Sequence, residues 1–179
     1  MKPEASSGKA RLTIPAGVFS EIQQWARAAY PREGCGLLLG HFKNQGLDKN
    51  VVRFVGLSNI LLSENGKNLA QRIQNSGGAI THERVAAGGG KTEFLMDPAE
   101  FDRVYRQAEK EGQDVVGILH THPDHPPKPS AMDASQPMLA GWSNVIVAVE
   151  KGVTVVARSW IRPDETTPFE EESLTIVEE

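Results

Sequence analysis

The sequence predicts an α/β (α+β) domain, a mixed β-sheet flanked by helices. Three observations carry this. Strand and helix signals alternate through the first part of the chain, a hairpin signal closes the later part, and the central apolar runs are continuous, as strands covered on both faces must be. Arg11 to Ile14 is expected as a short strand. Pro15 suits the first turn of a helix, and Val18, Ile22, Trp25, Ala26 and Ala29 follow at helical spacing. "YPREG" breaks that helix, and "CGLLLGHF", bounded by glycines, reads as a buried strand. Val51 to Leu57 reads as the next strand, with "NQGLDKN" as the turn between them.

Residues 62–90 hold "SENGKN", "NSGG" and "AAGGG" with only short apolar pieces between, so a binding flap and a disordered insertion both stay open. Lys91 to Met96 is expected as a strand. Asp97 is a good N-cap, Pro98 fits the first helical position and Glu100 completes a capping box. Phe101, Val104, Tyr105 and Ala108 form the buried stripe, and Gly112 ends the helix. Asp114 to Leu119 is a buried strand running straight into His120. Ser130-x-x-Asp133 opens a short helix after a proline loop. Asn144 to Val149 and Val153 to Ile161 are expected as a hairpin across "EKG". "RPDETTPFEEE" reads as surface, and "SLTIV" as an edge strand. The organisation is therefore a polar tail (1–10), one domain (11–162) and a C-terminal extension (163–179).

Composition bounds the function. With 39% apolar and 23% charged residues, the 179-residue chain has material for one core. A net charge of −4 argues against nucleic acid as the main partner. The lone cysteine, Cys35, excludes an internal disulfide and a Cys-rich zinc module, and reads as a small core residue. "MKPEASSGKA" has no signal-peptide pattern, and no apolar run approaches the roughly 20 residues of a spanning helix. A cytoplasmic protein without membrane contact is expected, with homodimerisation left open.

Chemistry concentrates in "LHTHPDHPPKPSAMD". His120 and His122 sit two apart at the carboxyl end of a strand, so both imidazoles point to one side. The proline loop reverses the chain, and Asp133 can return a carboxylate to the same point. Two nitrogens and one oxygen form an open three-ligand set, the kind that keeps a fourth position for water in catalytic zinc sites. An isolated H-x-H pair arises easily by chance, and Ser130-x-x-Asp133 alone reads as a capping box. Asp124 and His125 read as solvated loop residues. A water nucleophile needs a base. Glu33, between Pro31 and Gly34 and just ahead of a buried strand, is the candidate, against its plain reading as a turn glutamate.

Taken together, "PREGCGLLLG" and "HTHPDHPPKPSAMD" resemble the JAMM metallopeptidases, the catalytically competent MPN domains. The family pattern is a glutamate ahead of a C-G-hydrophobic strand, then H-x-H-P, six residues and S-x-x-D, and every position is filled here. The resemblance runs from about Arg11 to Trp160, apart from residues 62–90. It implies a fold similar to that of cytidine deaminases, with His120, His122 and Asp133 as Zn2+ ligands. It implies Glu33 as general base and acid, and Ser130 as the hydroxyl that stabilises an oxyanion. It also implies hydrolysis after the C-terminal Gly-Gly of a ubiquitin-like sulfur-carrier protein, cleaving a peptide, isopeptide or amino-acid adduct bond. Two rivals remain: a non-catalytic MPN-like interaction scaffold, which typically lacks the ligands, and a zinc deaminase-like hydrolase, which normally needs H-x-E and P-C-x-x-C.

Overall fold

The computed structural model describes residues 9–75, 93–135, 139–164 and 167–178. The expected tail lies almost wholly outside these, as do residues 76–92 of the segment read as a flap or insertion.

Continuous apolar runs become strands with a core on each face. In β2 (Cys35–Lys43), Cys35, Leu37 and Leu39 enter one cluster while Leu38 enters the other. The first cluster takes Val115 and Ala108, with Phe94, Phe101 and Val104 packed against it. The second takes Val116, Leu119, Val145 and Val147, and is covered by Val18, Ile22 and Ala26 of α1 (Ala16–Ala29).

The two faces are sorted by an irregularity in β4 (Asp114–Pro123). Leu38 pairs with Gly117 and Leu39 with Val115, so Val116 is an extra residue in the ladder. A bulge of this kind reverses the inward and outward alternation beyond it. His120 and His122 consequently fall on the same face as Phe94, whose ring lies 4.8 Å from that of His120. Gly117 is needed at the bulge because a Cβ there would meet the Ser143 carbonyl oxygen at 2.4 Å.

The other strands are β1 (Arg11–Pro15), β3 (Asp48–Leu57), β5 (Ser143–Glu150), β6 (Thr154–Ile161) and β7 (Glu170–Val177). Among the described residues they hydrogen-bond in the order β1-β3-β2-β4-β5-β6-β7 and then close, because β7 also pairs parallel with β1. β4 and β5 run parallel and β2 antiparallel to β4, so the sheet is mixed as expected. No helix among the described residues is long and apolar enough to cross a membrane.

Several expectations are corrected. "SLTIV" is no edge strand: β7 has a neighbour on each side, β6 and β1. "RPDETTPFEEE" is not all surface, since Arg162 and Glu172 are buried. β3 begins at Asp48, so the turn before it is only the 3-10 piece Asn44–Gly46. Residues 62–75, read as lacking regular structure, contain α2 (Glu64–Asn75), whose Ala70 packs with Leu61 and Ile73. The expected strand at Lys91 to Met96 reduces, in its described part, to a single bridge between Asn59 and Met96. Asn59 explains this, because its side-chain oxygen takes the Leu95 N–H at 3.1 Å that a strand partner would otherwise use.

α3 (Pro98–Lys110) is capped by Asp97, which accepts from Ala99 N at 2.8 Å. Its capping box stays half-built. Glu100 turns instead to Ser58, accepting from its N–H at 2.7 Å and its hydroxyl at 2.8 Å. Tyr105, expected in the buried stripe, is exposed and stacks on Phe101.

A charged group also lies inside the closed sheet. Lys49 and Glu172 are both fully buried and pair at 2.6 Å. The other Glu172 oxygen accepts from Ser143 Oγ at 2.6 Å and Ser159 Oγ at 2.7 Å, and Lys49 Nζ donates to the Gly141 carbonyl at 2.9 Å. This network joins β3, β5, β6 and β7.

Candidate metal centre

The H-x-H-P run lies within β4 rather than beyond it, since the strand extends to Pro123. Extended geometry sends His120 and His122 to one side, and their Nε2 atoms stand 3.1 Å apart. The chain turns at Asp124, whose φ of 55° is left-handed. Its carboxylate is occupied locally, accepting from Tyr30 Oη at 2.9 Å and Lys151 N at 2.7 Å. Asp124 is thus a pinned turn residue and no ligand.

The proline loop ends in α4 (Ala131–Ser135). Here the capping box is complete: Ser130 Oγ accepts from Asp133 N at 3.1 Å, and Asp133 Oδ2 accepts from Ser130 N at 2.6 Å. Capping and ligation are not alternatives at this spacing. The same carboxylate reaches His120 Nε2 at 3.1 Å through Oδ1 and His122 Nε2 at 3.5 Å through Oδ2. His120, His122 and Asp133 place one ligand atom each within 4.8 Å of one another, as a metal site requires.

Hydrogen bonding sets the ring chemistry. His122 Nδ1 lies 2.8 Å from the Pro126 carbonyl oxygen, which can only accept. The proton of neutral His122 is therefore on Nδ1, and Nε2 presents a bare lone pair. Burial lowers the His120 pKa, which keeps that ring neutral as a ligand must be. For His122, burial is outweighed by Asp133 and Pro126, and its pKa rises. The same histidines and the Ser130 N–H, opposing burial, hold Asp133 well below the usual carboxylate range. Two Nε2 atoms and a carboxylate converging at such distances call for a cation between them, either a proton or a metal, so the donor set fits a divalent ion.

Glu33 precedes β2, and its neighbour Gly34 is locked to β4. Gly34 N donates to Thr121 Oγ1 at 2.8 Å, and Thr121 N donates to the Gly34 carbonyl at 3.0 Å. The Glu33 carbonyl accepts from Asn59 Nδ2 at 2.9 Å. Glu33 itself is buried and lines a cavity of about 360 Å³ with His122, His125, Pro126, Lys128 and Ser130. The structure thus brings together all five expected residues, with Cys35 kept apart as a core thiol. Burial raises that thiol to about 12. Asn59 and Phe94 escaped the sequence reading. Neither sits in a motif, and only their contacts reveal that one holds Glu33 and the other walls His120.

Burial, with Asp133 and Glu93 adding to it and His122 opposing, pushes Glu33 up to about 8. A carboxyl with a raised folded-state pKa costs no stability below its ordinary pKa, near 4.5. Above that, it costs progressively more until about 8. Glu33→Gln is therefore expected to raise the melting temperature of the metal-free protein at pH 8 and to leave it unchanged at pH 4. Thermal denaturation at the two pH values checks this, and an equal shift at both contradicts it.

A family model described as prokaryotic homologs of the JAB domain matches residues 15–162. The desampylase of Pyrococcus furiosus is 49% identical over 41 residues, which are 23% of this chain and 29% of that protein. The chain thus matches less than a third of that relative's length. A solution structure of a Desulfitobacterium hafniense protein superposes with a TM-score of 0.70 at 24% identity, covering 94% of both chains, a likeness of fold alone. A Salinibacter ruber protein superposes with a TM-score of 0.61 at 27% identity, covering 92% of this chain and 91% of its own.

Proposed function

Because the chain belongs to the prokaryotic JAB-domain family, we propose that it is a zinc-dependent metallopeptidase acting on a ubiquitin-like sulfur-carrier protein. It hydrolyses a peptide, isopeptide or amino-acid adduct bond after the carrier's C-terminal Gly-Gly. The observation that carries this reading is the convergence of His120, His122 and Asp133 beside a cavity lined by buried Glu33 and by Ser130. The local likeness to a desampylase supports the substrate class. Two imidazoles and one carboxylate suit zinc and leave a fourth position open.

A zinc ion held by these three residues would supply Lewis acidity, lowering the pKa of a coordinated water to roughly 7 and polarising a carbonyl. The chain's own groups do the rest. Glu33, whose burial raises its affinity for a proton, accepts one from the attacking water and returns it to the leaving amine. Ser130 Oγ already accepts from Asp133 N, which leaves its O–H to donate to the oxyanion. Pro126 keeps the His122 proton on Nδ1, away from the ligand lone pair.

Ser130→Ala is expected to cut kcat by roughly 10²–10³-fold while zinc stays bound, because the carboxylate keeps its bond to the residue-130 N–H. Steady-state kinetics with metal analysis checks it.

The reading as a whole is tested with protein purified without chelator. Its metal content is measured by mass spectrometry, and it is incubated with Gly-Gly-ended carriers bearing a C-terminal adduct, with and without chelator. One zinc per chain and chelator-sensitive release of the adduct are expected. A metal-free preparation that takes up no zinc, or cleavage indifferent to chelator, rejects the proposal.

A further inference from the structure

The proline loop and α4 bring Asp133 back to the histidines, yet the loop has no sheet ladder of its own to hold it. Two side chains, one near the end of β6 and one just beyond it, supply the missing support. Trp160 Nε1–H donates to the Pro127 carbonyl at 3.0 Å. The adjacent Pro126 carbonyl accepts from His122 Nδ1 and from Lys128 N, each at 2.8 Å. Proline rings restrict the backbone torsions here, so holding one carbonyl largely orients its neighbour. Two residues beyond Trp160, Arg162 Nη2 donates to the Ala134 carbonyl at 2.5 Å, one residue after Asp133. Arg162 is 6% exposed and its guanidinium lies 4.3 Å from the Phe169 ring centroid, which fixes the donor. β6 is itself paired with β5 from Ser143 to Glu150 and with β7 at Ser159 to Ile161, so the platform is rigid.

From this geometry we infer that Trp160 and Arg162 are positioning residues for the metal centre, clamping opposite ends of the ligand-bearing segment. Trp160, through the Pro126–Pro127 carbonyls, holds His122 in its Nδ1–H tautomer. Arg162 holds the turn that aims Asp133. Neither side chain reaches the ligand atoms. The inference rests on His122 and Asp133 being metal ligands, but half of its test does not.

The experiment compares wild type, Trp160→Phe and Arg162→Met. Imidazole ¹⁵N shifts of the metal-free proteins at pH 8 report the His122 tautomer, and competition against a chromophoric chelator reports zinc affinity. Trp160→Phe is expected to give mixed His122 tautomers and zinc binding weaker by about tenfold or more. Arg162→Met is expected to keep the wild-type tautomer and to lose zinc affinity by a similar factor. An unchanged tautomer in Trp160→Phe overturns the first half, and zinc affinity within about twofold of wild type in Arg162→Met overturns the second. If Trp160→Phe does not fold, hydrogen exchange of the wild-type Trp160 indole decides: slowed exchange supports the bond and free exchange overturns it. If Arg162→Met does not fold, Arg162→Lys takes its place under the same criterion. A wild type that takes up no zinc refutes the metal reading, while the tautomer measurement still judges the Trp160 clamp.

Discussion

On the proposed function, replacing Glu33 with glutamine is expected to leave zinc bound and all but remove hydrolysis. Glutamine keeps the size and polarity of the side chain, and Glu33 is not one of the three converging ligands, so the metal centre survives. What is lost is a group able to take a proton and give it back. General acid–base help of this kind is worth roughly 10²–10⁴-fold, so kcat falls by that factor while zinc stoichiometry stays at the wild-type value. Adduct release followed by mass spectrometry, beside metal analysis of the same sample, measures both. Cleavage at the wild-type rate would place the base elsewhere. The same substitution is expected to stabilise the metal-free protein at pH 8, so its melting curve separates lost activity from lost fold.

The largest expected stability effect lies at a pair that does not line that cavity. Lys49→Met strands the Glu172 carboxylate inside the closed sheet with, among the described residues, the Ser143 and Ser159 hydroxyls as its remaining partners. Breaking a buried pair from one side costs roughly 3–5 kcal/mol, whereas replacing both partners is often neutral. For a chain of this size that is a fall in melting temperature of about 6–20 °C. The double variant Lys49→Met, Glu172→Gln is expected to recover most of it. Denaturation of the single and double variants measures the coupling, and a single variant as stable as wild type would show that the pair holds nothing together.

Legibility in the sequence followed the physics of each element. The His120–His122 pair was readable because strand alternation alone puts i and i+2 on one side. The choice of face was not readable, because it turns on the extra residue at Val116, which shows only in the ladder with β2. α1 and α3 announced themselves through spacing and through Pro98 after Asp97. α2 did not, because Gly66 and a largely polar composition resemble a loop, and only the Leu61–Ala70 contact shows what it covers. β7 was misread as an edge because "EEESLTIV" begins with three carboxylates. Charged residues default to the surface, and nothing local reveals that Glu172 has Lys49 across the sheet. Ser130-x-x-Asp133 offered two readings, cap or ligand, and one carboxylate both closes the cap and reaches the two histidines.

The parallel pairing of β1 with β7 bears on how the protein can be shortened. The family match, residues 15–162, contains all five candidate residues but omits nearly all of β1 and the whole of β7. A fragment trimmed to those limits would bare the flanks of β3 and β6 to other chains and lack the counter-charge of Lys49. Sticky, poorly soluble material is what such a deletion would yield, and a usable minimal version has to retain both end strands.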